Sequence, residues 1–217
     1  MPSHRVLKRT YLSRAPRSTA KIVMALSLFV LATASVGHWQ NWKGMGESLL
    51  ATRESVFQSG EFWRLLTTIC IHADIGHLLG NMLTFAILSY LLWGYFGYLI
   101  YPLAALAFGM ITNFLTLLSY PPESGILGAS GVIYWMAGFW VTLYFAIDRR
   151  YSRAGRLLRS VGFSLAIFAP TSYEAGVAYR THAMGFVLGV AFGVIYFRVR
   201  RESFRRAEEY ALEEDVI

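Results

Sequence analysis

Four polar residues in apolar surroundings have the side-chain types that acyl transfer requires. Ser130 lies in the run GASG, His77 is followed four residues later by Asn81, and His182 lies far along the chain. A serine hydroxyl becomes a useful nucleophile when a neighbouring base takes its proton, and histidine is the usual base. The tetrahedral intermediate then needs hydrogen-bond donors for its oxyanion. If folding brings these residues together, we expect acyl-transfer chemistry.

The segments that carry these residues are those of a polytopic membrane protein. Of 217 residues, 55% are hydrophobic and 15% charged, whereas about 25% charged residues is usual. Between Arg64 and Asp148 the only charged side chains are Asp74 and Glu123. Such a stretch would expose large apolar patches in water. This composition excludes a soluble enzyme, a disordered tail and a nucleic-acid-binding module, and we expect a lipid bilayer and no nucleic acid as partner.

The hydropathy pattern predicts an all-α fold with six membrane-spanning helices. A spanning helix needs about 20 mainly apolar residues. Five stretches satisfy this requirement, namely residues 22–42, 77–97, 99–119, 128–147 and 177–197. A sixth, 154–171, is shorter and carries two arginines whose long stems can reach the headgroups.

Basic residues predict the orientation of these spans. The chain has a net charge of +7, and 16 of its 20 Lys and Arg fall within residues 1–21, 149–159 and 198–206. With six spans these three blocks lie on one side, which the positive-inside rule makes cytoplasmic. We therefore predict a basic cytoplasmic tail (1–21), a membrane domain (22–199) and a charged cytoplasmic tail (200–217). We favour a prokaryotic inner membrane, and a mitochondrial presequence is the other reading of the basic start.

The predicted topology brings the four polar residues to one depth. Spans two, four and six run in the same direction, so their first residues, which include His77, Ser130 and His182, lie near the same surface. Ser130 begins a helix, where backbone N–H groups are unpaired. Tyr134 is one turn further on the same face and is placed to pack against the base. Since no carboxylate lies in a span to orient the histidine, we expect a Ser-His dyad held by packing.

Several other residues have simpler interpretations. Gly185 and Gly189 are interpreted first as packing residues, because small side chains let helices approach closely. A serine between two glycines has the same first interpretation. Asn113 is interpreted as a packing residue, and His72 and Asp74 as solvated residues of the loop before span two. A single cysteine excludes an intrachain disulfide and a cysteine-based metal cluster. We expect neither a metal nor a cofactor.

Taken together, these motifs resemble those of the rhomboid intramembrane serine proteases. The resemblance extends from the first span to the sixth and rests on four elements in this order: Trp63-Arg64 in the long first loop, His77 and Asn81 as H-x-x-x-N, Gly128-Ala129-Ser130-Gly131 as G-x-S-G, and His182, Gly185 and Gly189 in the sixth span.

The resemblance implies a role for each matched residue. It makes Ser130 the nucleophile and His182 its general base and acid. The oxyanion would be held by the backbone N–H of Ser130 with the side chains of His77 and Asn81, and Tyr134 would stack on the imidazole. Gly128 and Gly131 would support the serine. It also implies membrane-anchored protein substrates, cleaved in or near their transmembrane segment.

Two alternatives belong to other functional classes. A catalytically silent rhomboid-like protein would bind membrane clients, although such relatives typically lack the serine or the histidine. A small transporter or channel would place polar residues throughout the depth of the membrane, whereas these residues gather near one surface.

Overall fold

The computed structural model describes residues 5–121, 124–168 and 179–212. Within these residues there are eight α-helices: α1 (Ala20–Trp39), α2 (Met45–Ser48), α3 (Arg64–Thr67), α4 (Ile75–Phe96), α5 (Ala105–Ser119), α6 (Ser130–Ile147), α7 (Arg153–Phe168) and α8 (Tyr179–Arg206). The strands are β1 (Arg5–Arg9), β2 (Ala51–Thr52), β3 (Gly125–Ile126) and β4 (Glu209–Leu212). Single turns of 3-10 or π type occupy Tyr11–Ser13, Trp42–Gly44, Glu54–Gln58 and Leu99–Ala104.

Five helical segments of the described chain are long and apolar enough to cross a membrane. They are Ala20–Trp39, Ile75–Phe96, Leu99–Ser119, Ser130–Ile147 and Tyr179–Arg206. Each overlaps one of the five clear spans of the hydropathy pattern. The prediction of a multi-pass helical membrane protein is confirmed to this extent.

Two small antiparallel sheets depart from the all-α prediction. β1 pairs with β4, with Arg5 opposite Leu212, and β2 pairs with β3, with Ala51 opposite Ile126. All four strands lie outside the spanning helices, where backbone groups still need hydrogen-bond partners. The structure is therefore mostly helical, and the all-α description is wrong for these segments.

Helix α6 forms the centre of the bundle. It contacts α4, α5, α7 and α8, and the side chains of Trp135, Met136, Phe139 and Leu143 are fully buried. A helix that is apolar on all sides can be buried on all sides. Residues 131–139 are all buried, so the first half of the helix that begins with Ser130 is held by neighbours around its whole circumference.

Helix α7 corresponds to the shorter predicted span, 154–171, which is the fifth in chain order. Its 16 residues give a length of about 24 Å, less than the roughly 30 Å of a bilayer core. Arg156 Nη1 donates to the carbonyl oxygen of Phe145 (2.5 Å), and Tyr134 Oη donates to that of Ile167 (3.1 Å). Helix α7 therefore runs antiparallel to α6, from its end back toward its start. Residues 169–171 of the predicted span lie outside the described residues.

The bundle has two distinct ends. At one end, which we call the strand end because β1 and β4 lie there, these two strands are close to the last residues of α4 and α6. Tyr11 Oη donates to the carbonyl oxygen of Tyr95 (2.7 Å), and Arg149 Nη1 lies 3.4 Å from Glu208 Oε1. At the opposite end, the serine end, α6 begins with Ser130. The predicted tail 200–217 continues α8 to Arg206 and then forms β4, and residues 213–217 lie outside the described residues.

Candidate active site

Ser130 is the first residue of α6 and is half-buried. Its backbone N–H is one of the four that a helix start leaves unpaired within the helix. The approach to it depends on Gly128, whose φ of +109° favours glycine. A Cβ atom on Gly128 would lie 2.8 Å from Cε1 of His77. Glycine at this position therefore lets the His77 imidazole lie directly against the chain that leads into Ser130.

The ring of His182 stacks on Tyr134. The two ring centroids are 4.1 Å apart and the planes are inclined by 19°, so the packing expected from the sequence is present. Tyr134 is one helical turn from Ser130, which places their Cβ atoms roughly 6 Å apart. His182 is 4% exposed, and its Nδ1 has no hydrogen-bond partner among the described residues. Stacking on Tyr134 thus orients this imidazole, and no carboxylate of the described residues pairs with it.

The backbones of α6 and α8 are in direct contact close to Ser130 and His182. A Cβ atom on Gly185 would lie 2.5 Å from the carbonyl oxygen of Gly131. A Cβ atom on Gly189 would overlap the carbonyl oxygen of Trp135. From the α6 side, a Cβ atom on Gly138 would overlap the carbonyl oxygen of Phe186. Glycines on both helices therefore set the distance between the helix that carries Ser130 and the helix that carries His182.

The other two predicted donors lie at the start of α4. The Asp74 carboxylate caps this helix by accepting from the His77 backbone N–H (2.8 Å). Asn81 is buried, and its Nδ2 donates one hydrogen to the carbonyl oxygen of His77 (2.8 Å). An amide nitrogen carries two hydrogens, so this bond fixes the Asn81 side chain and leaves it a second donor. Asp74 is exposed, as the sequence interpretation expected, and it also serves as the cap of α4.

His72 is a structural residue of the site that the sequence interpretation missed. It is fully buried, not solvated as predicted. The Ala129 backbone N–H donates to His72 Nε2 (3.3 Å), and His72 Nδ1 lies 3.0 Å from Ser35 Oγ. Ser35 Oγ in turn donates to the carbonyl oxygen of Cys70 (3.4 Å). Since Nε2 must accept, Nδ1 carries the proton, and this chain ties α1 to the residue before Ser130.

The surroundings of His72 keep it neutral. Burial, and then the nearby His77 ring, lower the pKa of His72 to about 4 from its ordinary 6.5. A protonated imidazole has no acceptor nitrogen and could not accept from Ala129. The low pKa therefore preserves the contact beside Ser130 at neutral pH.

Asn113 and Arg64 hold the segments around the site. Asn113 Nδ2 donates to the carbonyl oxygen of Leu65 (3.0 Å), so this residue, predicted to serve packing alone, also fixes the loop. Arg64 Nη1 donates to the carbonyl oxygens of Glu47 (2.6 Å) and Leu50 (3.0 Å).

Within the described ranges no group of three or more His, Cys, Asp or Glu side chains could hold a metal ion.

Comparison with known proteins identifies the family. The family model described as "Rhomboid domain" matches residues 59–199, about two-thirds of the chain. The chain belongs to the rhomboid family. All the motif residues from Trp63 to Gly189 fall within the matched rhomboid region.

A curated relative shares part of this region. The Bacillus subtilis (strain 168) protein named "Putative rhomboid protease YdcA" is 29% identical to this rhomboid over 119 residues. The aligned part covers 52% of this chain and 59% of that relative. The chain thus spans about three-fifths of the length of the relative that it matches.

Proposed function

We propose that this rhomboid is an intramembrane serine protease that cleaves membrane-anchored proteins in or near their transmembrane segment. The observation that carries the proposal is the stacking of His182 on Tyr134, one turn from Ser130, across the close contact of α6 and α8. A buried histidine, fixed by an aromatic ring beside a serine at a helix start, has the features of a general base.

The proposed reaction needs only groups of this chain and water. His182 takes the proton of Ser130 as Oγ attacks the scissile carbonyl, and then gives it to the departing amine. Water, deprotonated by the same imidazole, hydrolyses the acyl-enzyme and regenerates Ser130. No metal or cofactor enters these steps.

The oxyanion of each tetrahedral intermediate would be bound at the start of α6. The Ser130 N–H, the His77 imidazole and the second Nδ2 hydrogen of Asn81 are the proposed donors. Their support is positional: the His77 ring lies against Gly128, and Asn81 is fixed by its bond to the His77 carbonyl oxygen. Donors that are already oriented need no reorganisation when charge develops.

In the proposed topology α7 also crosses the membrane, as the fifth of six crossings in chain order. The strand end then lies in the cytoplasm and the serine end at the outer surface of a prokaryotic inner membrane. Support comes from the parallel run of α6 and α8, because the chain must return between them, and α7 runs antiparallel to α6. The described parts of the basic blocks, residues 5–21, 149–159 and 198–206, fall at the strand end. Substrates would then approach the serine from within the bilayer.

Labelling by a fluorophosphonate tests the assignment of Ser130. The purified wild-type protein in detergent should form a covalent adduct, and Ser130→Ala should abolish it. Ser164→Ala is the matched control, because Ser164 Oγ donates to the carbonyl oxygen of Ser160 within α7, and it should label fully. Loss of label must be accompanied by loss of cleavage of a membrane-embedded reporter. Undiminished labelling of Ser130→Ala would contradict the proposal, and no labelling of the wild type would favour a silent client-binding protein.

A further inference from the structure

An elongated groove lies between α6, α7 and α8, toward the strand end and away from Ser130. Its volume is about 560 Å³. The walls are mainly apolar, formed by Val141, Phe145 and Ala146 of α6, Leu157 of α7, and the α8 side chains from Phe186 to Phe197. From Phe186 to Phe197 the α8 wall extends over about 16 Å, which matches the depth of one leaflet of a bilayer core of about 30 Å.

Three arginines of α8 close the groove at its strand end: Arg198, Arg201 and Arg205. Arg205 is neutralised by Glu208, with Nη1 and Oε1 2.6 Å apart. Among residues 5–121, 124–168 and 179–212, neither Arg198 nor Arg201 forms an ion pair. Within the described part of the chain, two arginines without an ion-pair partner therefore stand at the end of an apolar groove.

The side chain of Ser160 is a second, independent polar feature of this groove. Ser160 is 6% exposed and lines the wall from α7. Its Oγ is buried without a hydrogen-bond partner in the described part of the chain, and such a group is costly unless something pairs with it. Because α7 is antiparallel to α6, Ser160 lies near the level of Thr142, a turn or more deeper than Arg198.

We infer that this groove binds one anionic phospholipid. One acyl chain lies along the apolar wall of α8, the phosphate lies between Arg198 and Arg201, and Ser160 Oγ donates to an ester oxygen beneath the phosphate. Along the groove the arginines come first, then the Ser160 hydroxyl and then the apolar wall. Along the lipid the phosphate, the ester and the acyl chain follow in the same order. The arginine end of the groove lies at the end of the bundle opposite Ser130, and no residue that lines the groove has a role in the proposed reaction. This site therefore does not depend on the proposed protease activity.

Native mass spectrometry of the detergent-solubilised protein tests the site directly. Titration with phosphatidylglycerol should give one saturable adduct, and phosphatidylcholine should bind at least tenfold more weakly. In Arg198→Gln/Arg201→Gln affinity should fall about thirtyfold, since each cation near an anionic headgroup contributes about a fivefold factor. Arg153→Gln/Arg200→Gln is the matched control: both arginines are exposed and outside the groove, and binding should stay within twofold.

Two further arms identify what the groove holds. Ala146→Trp fills the groove without changing charge and should also abolish the adduct, which separates a groove from surface attraction. Inorganic phosphate at millimolar concentration should not displace the lipid. The inference is overturned if phosphatidylcholine binds equally, if the control pair loses as much as the groove pair, if Ala146→Trp binds normally, or if phosphate alone competes.

Discussion

At the scale of single residues, the described part of the candidate site is held by stacking and hydrogen bonds, and no buried acid orients its histidine there. The His182 ring is oriented by Tyr134, and the chain entering Ser130 is held by His72 through the Ala129 N–H. A buried ionised carboxylate would cost several kcal/mol, which this arrangement avoids. The orienting forces are individually modest, so the geometry depends on several residues at once.

The dyad proposal predicts non-additive losses. Ser130→Ala, His182→Ala and the double variant should all fall to a similar residual rate, because residues that act as one unit are grossly non-additive. Asn81→Ala should cost less, roughly 10- to 1000-fold depending on how completely water replaces the lost donor. The measurement is the initial rate of cleavage of a membrane-embedded reporter. Losses that multiply in the double variant would show that the two residues act independently.

His72 predicts a pH dependence of stability. The native pKa of about 4 lies below the ordinary 6.5, so the native state binds fewer protons than the unfolded chain between these values. The neutral His72 therefore contributes about 3 kcal/mol to the free energy of unfolding. This contribution is present above pH 6.5 and is lost as the pH falls through 4. His72→Gln, which keeps an acceptor for Ala129, should flatten the curve.

Thermal unfolding in detergent from pH 8 to pH 4 measures this effect. The fall in the unfolding free energy of the wild type should exceed that of His72→Gln by about 3 kcal/mol. The value at pH 8 serves as each protein's own reference, because His72 is neutral there in both native and unfolded states. Parallel curves for the two proteins would contradict the role assigned to His72.

The sequence predicts some of these residues and not others for a physical reason. Ser130, His77 and His182 begin parallel helices, so topology alone brings them near one surface, and Tyr134 follows from helical spacing. His72 belongs to a loop whose path depends on contacts with Ser35, 37 residues earlier. No local pattern encodes that pairing, so its burial is visible only in the folded chain.

At the scale of helices, the α6–α8 contact combines packing with geometry. Gly185 lies against the carbonyl oxygen of Gly131, the residue after Ser130. Since backbone atoms cannot rotate away, an added methyl group must separate the helices. Separation at this level moves His182, three residues earlier on α8, relative to Ser130.

Glycine substitutions along α8 should therefore affect cleavage according to their distance from the dyad. Gly185→Ala should lower the rate about a hundredfold, since a displacement of about 1 Å can cost that much. Gly193→Ala, whose Cβ would meet the Thr142 side chain at 2.9 Å, should lose less. Reporter cleavage is compared with the thermal midpoint of each variant.

Gly162 on α7 is the matched control, because a Cβ atom there would meet nothing within 4 Å. Gly162→Ala should keep full activity and gain roughly 0.5–1 kcal/mol of helix stability. If Gly185→Ala cleaves as fast as Gly162→Ala at unchanged stability, the α6–α8 distance does not govern catalysis.

Helices and strands differ in how far sequence predicts them here. The five long spans follow from apolar length, and Leu99–Ser119 is recovered although its first turn is π-type. Strands β2 and β3 have two residues each, too few for an alternating pattern. β1 and β4 are charged segments whose pairing partner lies about 200 residues away.

At the scale of the whole molecule, the proposed orientation predicts which surfaces are accessible. Single cysteines are placed at Ser124, near the serine end, and at Ser203, near the strand end, in a Cys70→Ser background. Ser124→Cys should react with an impermeant thiol reagent in intact cells, and Ser203→Cys only after permeabilisation. Reaction of both from outside would contradict an even number of crossings, and the reverse pattern would invert the orientation.

The pairing of β1 with β4 has a consequence for biosynthesis. Strand β1 precedes every helix of the bundle in the chain, and β4 follows them all, so β1 is translated well before its partner. During translation β1 is therefore an unpaired strand edge, which other chains can join. Its basic residues, Arg5, Lys8 and Arg9, disfavour such pairing until β4 emerges. The sheet can therefore form only after every helix between its two strands has been translated, and a chain stopped before Glu209 would keep that edge open to other chains.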